Sequence, residues 1–161
     1  MKHLSAWTCI VQLAFAGCAA LAQAQPATHP QTGNTVPVTP DNFVRAESDL
    51  FFGNIVKDGG LGKFDHRREP ASINNQTVIR PNRDTLYSAA MFDFDAGPVT
   101  ITLPDAGKRF MSMQGISEDE YTTEVAYGAG AYTLDKEKIG TRYVVVAVRT
   151  LVDPADPQDV R

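Results

Sequence analysis

Arg80, Asn82, Arg83, Asp84, Thr85 and Tyr87 crowd guanidinium, amide, carboxylate, hydroxyl and phenol groups into the stretch Asn74–Ser88, just ahead of an apolar segment. Guanidinium groups bind carboxylate or phosphate through paired hydrogen bonds, while Asn and Asp select hydroxyls, so these types in this order suit an anion or polyol site. They equally suit a structural turn in which Asp84 accepts backbone N–H groups and pairs with an Arg, tying the loop to a sheet. Arg142 and Arg149 flank another apolar segment and either converge on the same site or pair with Glu118, Asp119 or Glu120.

Other chemistries are poorly supplied. Glu118-Asp119-Glu120 could offer carboxylates to calcium, but the spacing matches no calcium loop and suits a solvated turn. Asp93 and Asp95 share one strand face, which is compatible with a general acid and base and equally with two exposed carboxylates. His66 is the one histidine outside the first 38 residues. Any Ser-His-Asp arrangement must use it, yet its neighbours Lys63–Glu69 form a charged loop and the chain has no Gly-x-Ser-x-Gly elbow. A histidine zinc site lacks ligands, and no Gly-rich loop precedes a Lys-Ser/Thr pair. No metal and no cofactor are expected. Hydrolysis, if present, would rest on Arg clamps, Asp84 as acid/base and a carboxylate-held metal.

The chain has 161 residues and a formal charge of −4. Lys2 and His3, an apolar run over Leu4–Leu21 and Ala22-Gln23-Ala24 read as a secretory leader cleaved before Gln25. Two other readings stay open. One is a membrane anchor, although Gln12 interrupts the run and no charged stop follows; the other is a lipoprotein acylated at Cys18, although Phe15 is atypical there. Both cysteines, Cys9 and Cys18, lie in this segment, so cleavage leaves no thiol for disulfides or nucleophilic chemistry. Loss of Lys2 moves the charge to −5. With no basic stripe, nucleic acid is not an expected partner, and no membrane span is expected in the remainder.

Those side chains need elements to hold them. Residues 25–38 are rich in Pro, Thr, Gln and Gly and read as a disordered linker. Thr39-Pro40-Asp41 predicts a helix opening, with Thr39 as cap and Pro40 at the first helical position. Phe43, Ala46, Leu50, Phe51, Ile55 and Val56 give it a buried stripe that ends at Gly59-Gly60. Period-two alternation then predicts strands over Leu86–Asp95, Val99–Leu103, Arg109–Ser117, Thr122–Tyr127, Ala131–Leu134 and Tyr143–Thr150. The first two should pair as a hairpin, and the last, almost continuous in Val and Ala, should be central. The fold class is therefore mainly β (α+β): an antiparallel β-sandwich or jelly-roll-like sheet with one N-terminal helix, in a single domain over residues 39–161. Asp153-Pro154 and Asp156-Pro157 look like helix openings with little chain after them, which predicts a domain truncated at its C-terminus.

Asn75-Gln76-Thr77-Val78, Asn82-Arg83-Asp84-Thr85-Leu86-Tyr87-Ser88, Gly97-Pro98-Val99-Thr100, Leu103-Pro104-Asp105, Ile139-Gly140-Thr141-Arg142-Tyr143 and Val148–Pro154 together resemble the bacterial family called domain of unknown function 1254. The resemblance runs from Arg67 to Val160. It implies an exported, β-rich domain that in relatives precedes a second β-domain missing here, and it brings no catalytic residues with it. The expected function is binding of a small polar or anionic ligand through Arg80, Asn82, Arg83, Asp84 and Tyr87, or binding of a partner domain. The alternative is the N-terminal half of a hydrolase acting on a small anionic or hydroxylated, phosphoester-like substrate. Periplasmic or secreted location is expected, with a companion domain or a second copy, joined through an uncovered sheet edge, as protein partner.

Overall fold

A computed structural model describes residues 35–74, 80–153, 155, 156, 158 and 159. The expected secretory leader, the expected linker up to Asn34 and the segment 75–79 lie outside the described residues. Contacts divide the chain after Val36, and the fold below is that of the unit beginning at Pro37. Its elements in order are α1 (Phe43–Lys57), β1 (Asp65–Arg67), β2 (Thr85–Asp93), β3 (Val99–Leu103), β4 (Met111–Ser117), β5 (Thr122–Tyr127), β6 (Gly130–Leu134), α2 (Lys136–Ile139) and β7 (Tyr143–Leu151). The strands form an antiparallel five-stranded sheet in the order β1-β2-β7-β4-β5 and a two-stranded sheet, β3-β6. The mainly β expectation with one long N-terminal helix is met, and the described sheets do not close into a barrel. Among the described residues no helix is long and apolar enough to cross a membrane.

The main core lies between the two sheets. Met111, Met113, Val144, Val146 and Val148 from one face of the larger sheet meet Ile101, Leu103 and Leu134 from the smaller one, with Phe94 and Ile139 closing the ends. β7 is central, and Val144, Val145 and Val146 are buried on both of its faces. Beyond Ala147 only Val148, on the face turned to the small sheet, stays buried, so the strand is not covered on both sides along its whole length. The hairpin expected between β2 and β3 does not form. Phe94–Ala96 makes a 3-10 turn with Phe94 buried, and Gly97 at φ +118 then redirects the chain into the second layer, where β3 pairs with β6. β1 and α2, which the charged Lys63–Pro70 run and the short Lys136–Ile139 segment conceal in the sequence, are additions to the expected elements.

Helix α1 differs from its expected form at both its start and its face. The Asn42 side chain accepts from the Thr39 N–H at 2.7 Å and donates to the Pro37 carbonyl at 3.0 Å, closing a turn behind itself instead of capping. The helix therefore begins at Phe43, and Thr39 and Pro40 stay in that turn. Ser48, Phe52, Ile55 and Val56 face the sheet, where Phe52 packs on Met91 and Val145. Phe43, Leu50 and Phe51 are instead 55%, 55% and 46% exposed. Two apolar stripes run along this helix, and the one that docks is the one aligned with the close approach at its C-terminal end.

That approach is made by Gly60. Its N–H donates to the Ile55 carbonyl at 2.8 Å and its own carbonyl accepts from Met91 N–H at 2.7 Å, locking the helix end to the edge of β2. A Cβ there would lie 2.6 Å from Ile55 Cγ2 and 3.3 Å from the Ala89 carbonyl oxygen. Gly59, at φ +93, supplies the left-handed residue after the helix.

At the other end of β2, the Arg142 guanidinium grips Asp93 with Nε and Nη2 at 2.9 and 2.6 Å, and Nε also reaches Asp95 at 3.0 Å. Lys136 joins at 3.1 Å from Asp95. The pair Asp93 and Asp95 is thus a charged clasp between the end of β2, the start of β7 and α2. The hydrogen bonds from Arg142 lower the Asp93 carboxyl to about 2, with the Asp95 backbone N–H adding to the effect. Arg45 of α1 similarly holds Asp119 at 2.6 Å and Glu118 at 3.3 Å. At the chain end, Arg109 pairs with Asp159, and Asp153 and Asp156 accept from the N–H groups of Ala155 and Gln158 at 2.9 and 2.8 Å, making turns.

Two outcomes test this frame. Gly60→Ala should destabilise the domain by about 1–3 kcal/mol through overpacking, whereas Gly53→Ala, which meets open space inside α1, should stabilise it by about 0.5–1 kcal/mol. Urea melts showing the same sign for both would contradict the docking described. Because the folded Asp93 carboxyl lies below its ordinary value of 3.8, its contribution is present above that value and is lost as pH falls through about 2. Asp93→Asn should therefore flatten the loss of stability with acid below pH 4, as read from denaturant midpoints; superimposable pH profiles would rule the clasp out.

Candidate functional site

The face of the larger sheet turned toward α1 carries the polar residues. Directly opposed residues in an antiparallel sheet project to the same side. The register sets Arg67 opposite Tyr87, Tyr87 opposite Arg149, Arg149 opposite Ser112 and Ser112 opposite Tyr127. One transverse row thus runs guanidinium, phenol, guanidinium, hydroxyl, phenol across all five strands. The neighbouring row reads Asp65, Ala89, Ala147, Gln114 and Val125. Helix α1 packs on the same face farther along, at Met91 and Val145, and leaves these two rows beyond its buried stripe.

A pocket of about 480 Å³ opens where the end of α1, β1 and the segment leading to Asn82 meet this face. Ile55, Ala71, Pro81 and Ala89 give it apolar walls, and Asp58, Asp65, Glu69, Arg67, Asn82 and Tyr87 bring the polar groups. Arg67 Nη2 is 3.3 Å from Asp58 Oδ2, an exposed pair that is worth no more than about 1 kcal/mol. Three carboxylates against one guanidinium make the rim acidic.

Of the residues expected to bind a ligand, Asn82 and Tyr87 line this pocket. Asn82 Oδ1 also accepts from the Asp84 N–H at 3.2 Å, and Arg83 Nε donates to the Ala71 carbonyl at 2.6 Å, so both shape the loop. Asp84 is exposed and outside the lining; its own carbonyl accepts from Val152 N–H at 2.9 Å. Arg80 sits at φ +56 in the same loop. Thr85 is buried, with its hydroxyl unpartnered among the described residues. The gathering of Asp84, arginines and a second carboxylate that the hydrolase reading requires is not formed around this pocket.

Arg142 and Arg149 part company. Arg142 belongs to the Asp93 clasp, while Glu118 and Asp119 face Arg45, and Glu118 Oε2 accepts from the Tyr143 N–H at 3.0 Å. Arg149 joins the transverse row, its Nε buried and, among the described residues, without a hydrogen-bond partner. Ser112, Gln114 and Tyr127 escape the sequence reading. The signal for the first two was the alternation of Met111 and Met113 with Ser112 and Gln114 in a strand that is buried almost throughout. His66 Nδ1 and Ser88 Oγ lie 2.7 Å apart as a direct cross-strand pair on the opposite face, with Phe64 stacked on the imidazole at 6.1 Å. Among the described residues no carboxylate orients that ring, and the pair ties the short β1 to β2.

A crystal structure of the VPA0106 protein from Vibrio parahaemolyticus is similar in fold, with a TM-score of 0.50 and 15% sequence identity over 72% of this chain. The match covers 31% of that protein, so this chain spans less than a third of its length. No curated protein matches the sequence. The family model described as protein of unknown function (DUF1254) matches residues 61–146, more than half of the chain and the whole span from the helix–sheet junction to the middle of β7. The chain therefore belongs to the DUF1254 family.

Proposed function

We propose that this domain binds a small hydroxylated ligand in the pocket between the end of α1, β1 and Asn82, and that it does so as an exported protein. The carrying observation is the composition of the pocket: three carboxylates, a guanidinium and an amide beside Tyr87 and the apolar walls of Ile55 and Ala89. Carboxylates and Asn accept from hydroxyls, the guanidinium donates, and apolar and aromatic surface covers C–H faces. Its size, near 480 Å³, falls within the range of small-molecule sites. A free anion alone would be repelled by the acidic rim, which favours a ligand bearing several hydroxyls.

A second reading, a partner surface on α1, draws on the exposed Phe43, Leu50 and Phe51. Under it, Leu50→Glu with Phe51→Glu, which spares the buried Phe52, should abolish self-association in analytical ultracentrifugation; a wild-type protein that is monomeric throughout would count against a second copy as that partner.

The ligand reading is tested by calorimetry with glucose, galactose, myo-inositol and sorbitol. At least one should bind saturably, and Tyr87→Ala should weaken it by about tenfold, the loss of one well-placed contact. Heats of dilution alone for all four, or an unchanged affinity in the Tyr87→Ala protein, would dismiss the pocket as a binding site.

A further inference from the structure

We infer that Arg149 and Ser112 form a subsite for an oxyanion, a carboxylate or phosphate group, on the sheet face beside Tyr87, adjoining the pocket but outside its own lining. The preferred ligand is then a hydroxylated acid or phosphate ester; this part rests on the pocket reading above. Four buried polar side-chain atoms lack a hydrogen-bond partner among the described residues: Ser48 Oγ, Thr85 Oγ1, Ser112 Oγ and Arg149 Nε. Three of the four belong to one patch of the α1-side face. Arg149 is directly opposite Ser112, and Thr85 is two residues from Tyr87 on the same face of β2. Ser112 is only 2% exposed.

Buried donors are normally satisfied, and Nε of the half-buried Arg149 is such a donor. Arg45, Arg67, Arg109 and Arg142 each meet a carboxylate, and Arg83 a backbone carbonyl. Among the described residues Arg149 Nε meets neither. Directly opposed residues have Cβ atoms about 5 Å apart, so one oxyanion can accept from Arg149 Nε and Ser112 Oγ together. Neighbouring strands are spaced by about 4.8 Å, which puts Arg149 about 10 Å from Arg67 at the pocket rim. Tyr87, opposite both of them, links the two ends. A hydroxylated ring with an acidic substituent has the length to engage the rim carboxylates with its hydroxyls and the arginine with its charge.

The test follows the arginine Nε–Hε resonances of ¹⁵N-labelled protein during titration with glucose, glucuronate, glucose 6-phosphate and inorganic phosphate. Glucuronate or glucose 6-phosphate should bind about tenfold or more tighter than glucose. Either should shift one resonance that disappears in the Arg149→Lys protein. Arg149→Lys, or Ser112→Ala if the first variant fails to fold, should reduce the preference for the acid while leaving glucose binding in place. Equal binding of glucose and the acids, or an acid preference that survives in Arg149→Lys, would overturn the subsite and leave the pocket standing. A phosphate-induced shift of the Arg149 resonance without any sugar binding would support the subsite and overturn the pocket. An Arg149 resonance that none of the four probes moves would overturn the inference and assign the buried donors to internal water.

Discussion

The nine-residue antiparallel register between β2 and β7, running from Thr85 opposite Leu151 to Asp93 opposite Tyr143, governs the positions of everything else in this domain. Side chains alternate along each strand, so a slip of one residue would exchange the two faces of the central strand. Val144, Val146 and Val148 would leave the core, and Arg149 would leave the α1-side face. The clasp of Asp93 by Arg142 pins one end of this register, and the backbone bond from Val152 to Asp84 closes the other. Both fastenings are local consequences of charge and backbone geometry, yet they settle which chemistry appears on which surface.

The two faces of the larger sheet are filled by different means. One is sealed by the β3–β6 layer and α2, with apolar side chains interleaved along its length. The other is covered by a helix that docks around Met91 and Val145, where the Gly60 contact holds its C-terminal end close to β2. The remainder of that face keeps Tyr87, Arg149, Ser112 and Gln114, residue types that a fully covered layer would replace with apolar ones. Partial cover is therefore the structural origin of the pocket, and the sealed layer behind it makes a firm floor.

Much of this frame was legible in the sequence, and the parts that were not have identifiable causes. Period-two patterns located β3, β5 and most of β2, β4, β6 and β7, since alternation of Val, Ile, Thr and Phe is a local signal. Pairing is not local. The Ala96-Gly97-Pro98 turn reads as a hairpin until Phe94 is seen to be buried, which swings β3 into the second sheet. The helix carried two apolar stripes, and nothing within its own residues favoured Phe52 over Leu50. The polar loop from Arg80 to Asp84 was conspicuous because its groups are adjacent in sequence, and Asn82 and Tyr87 do reach the pocket. Arg67, Ser112 and Tyr127 lie far apart along the chain and come together only through register, which no motif announces.

The placement of β7 also constrains the order in which the molecule can assemble. The strand that joins β2 to β4 spans Tyr143–Leu151, while the strands it bridges end at Asp93 and Ser117. Until it arrives, β2 has only the three-residue β1 and the Gly60–Gly62 segment as neighbours, and the β4–β5 hairpin has no link to either. The sheet therefore closes late, through contacts distant in sequence, the class of topology that folds slowly because chain entropy must be lost before pairing repays it.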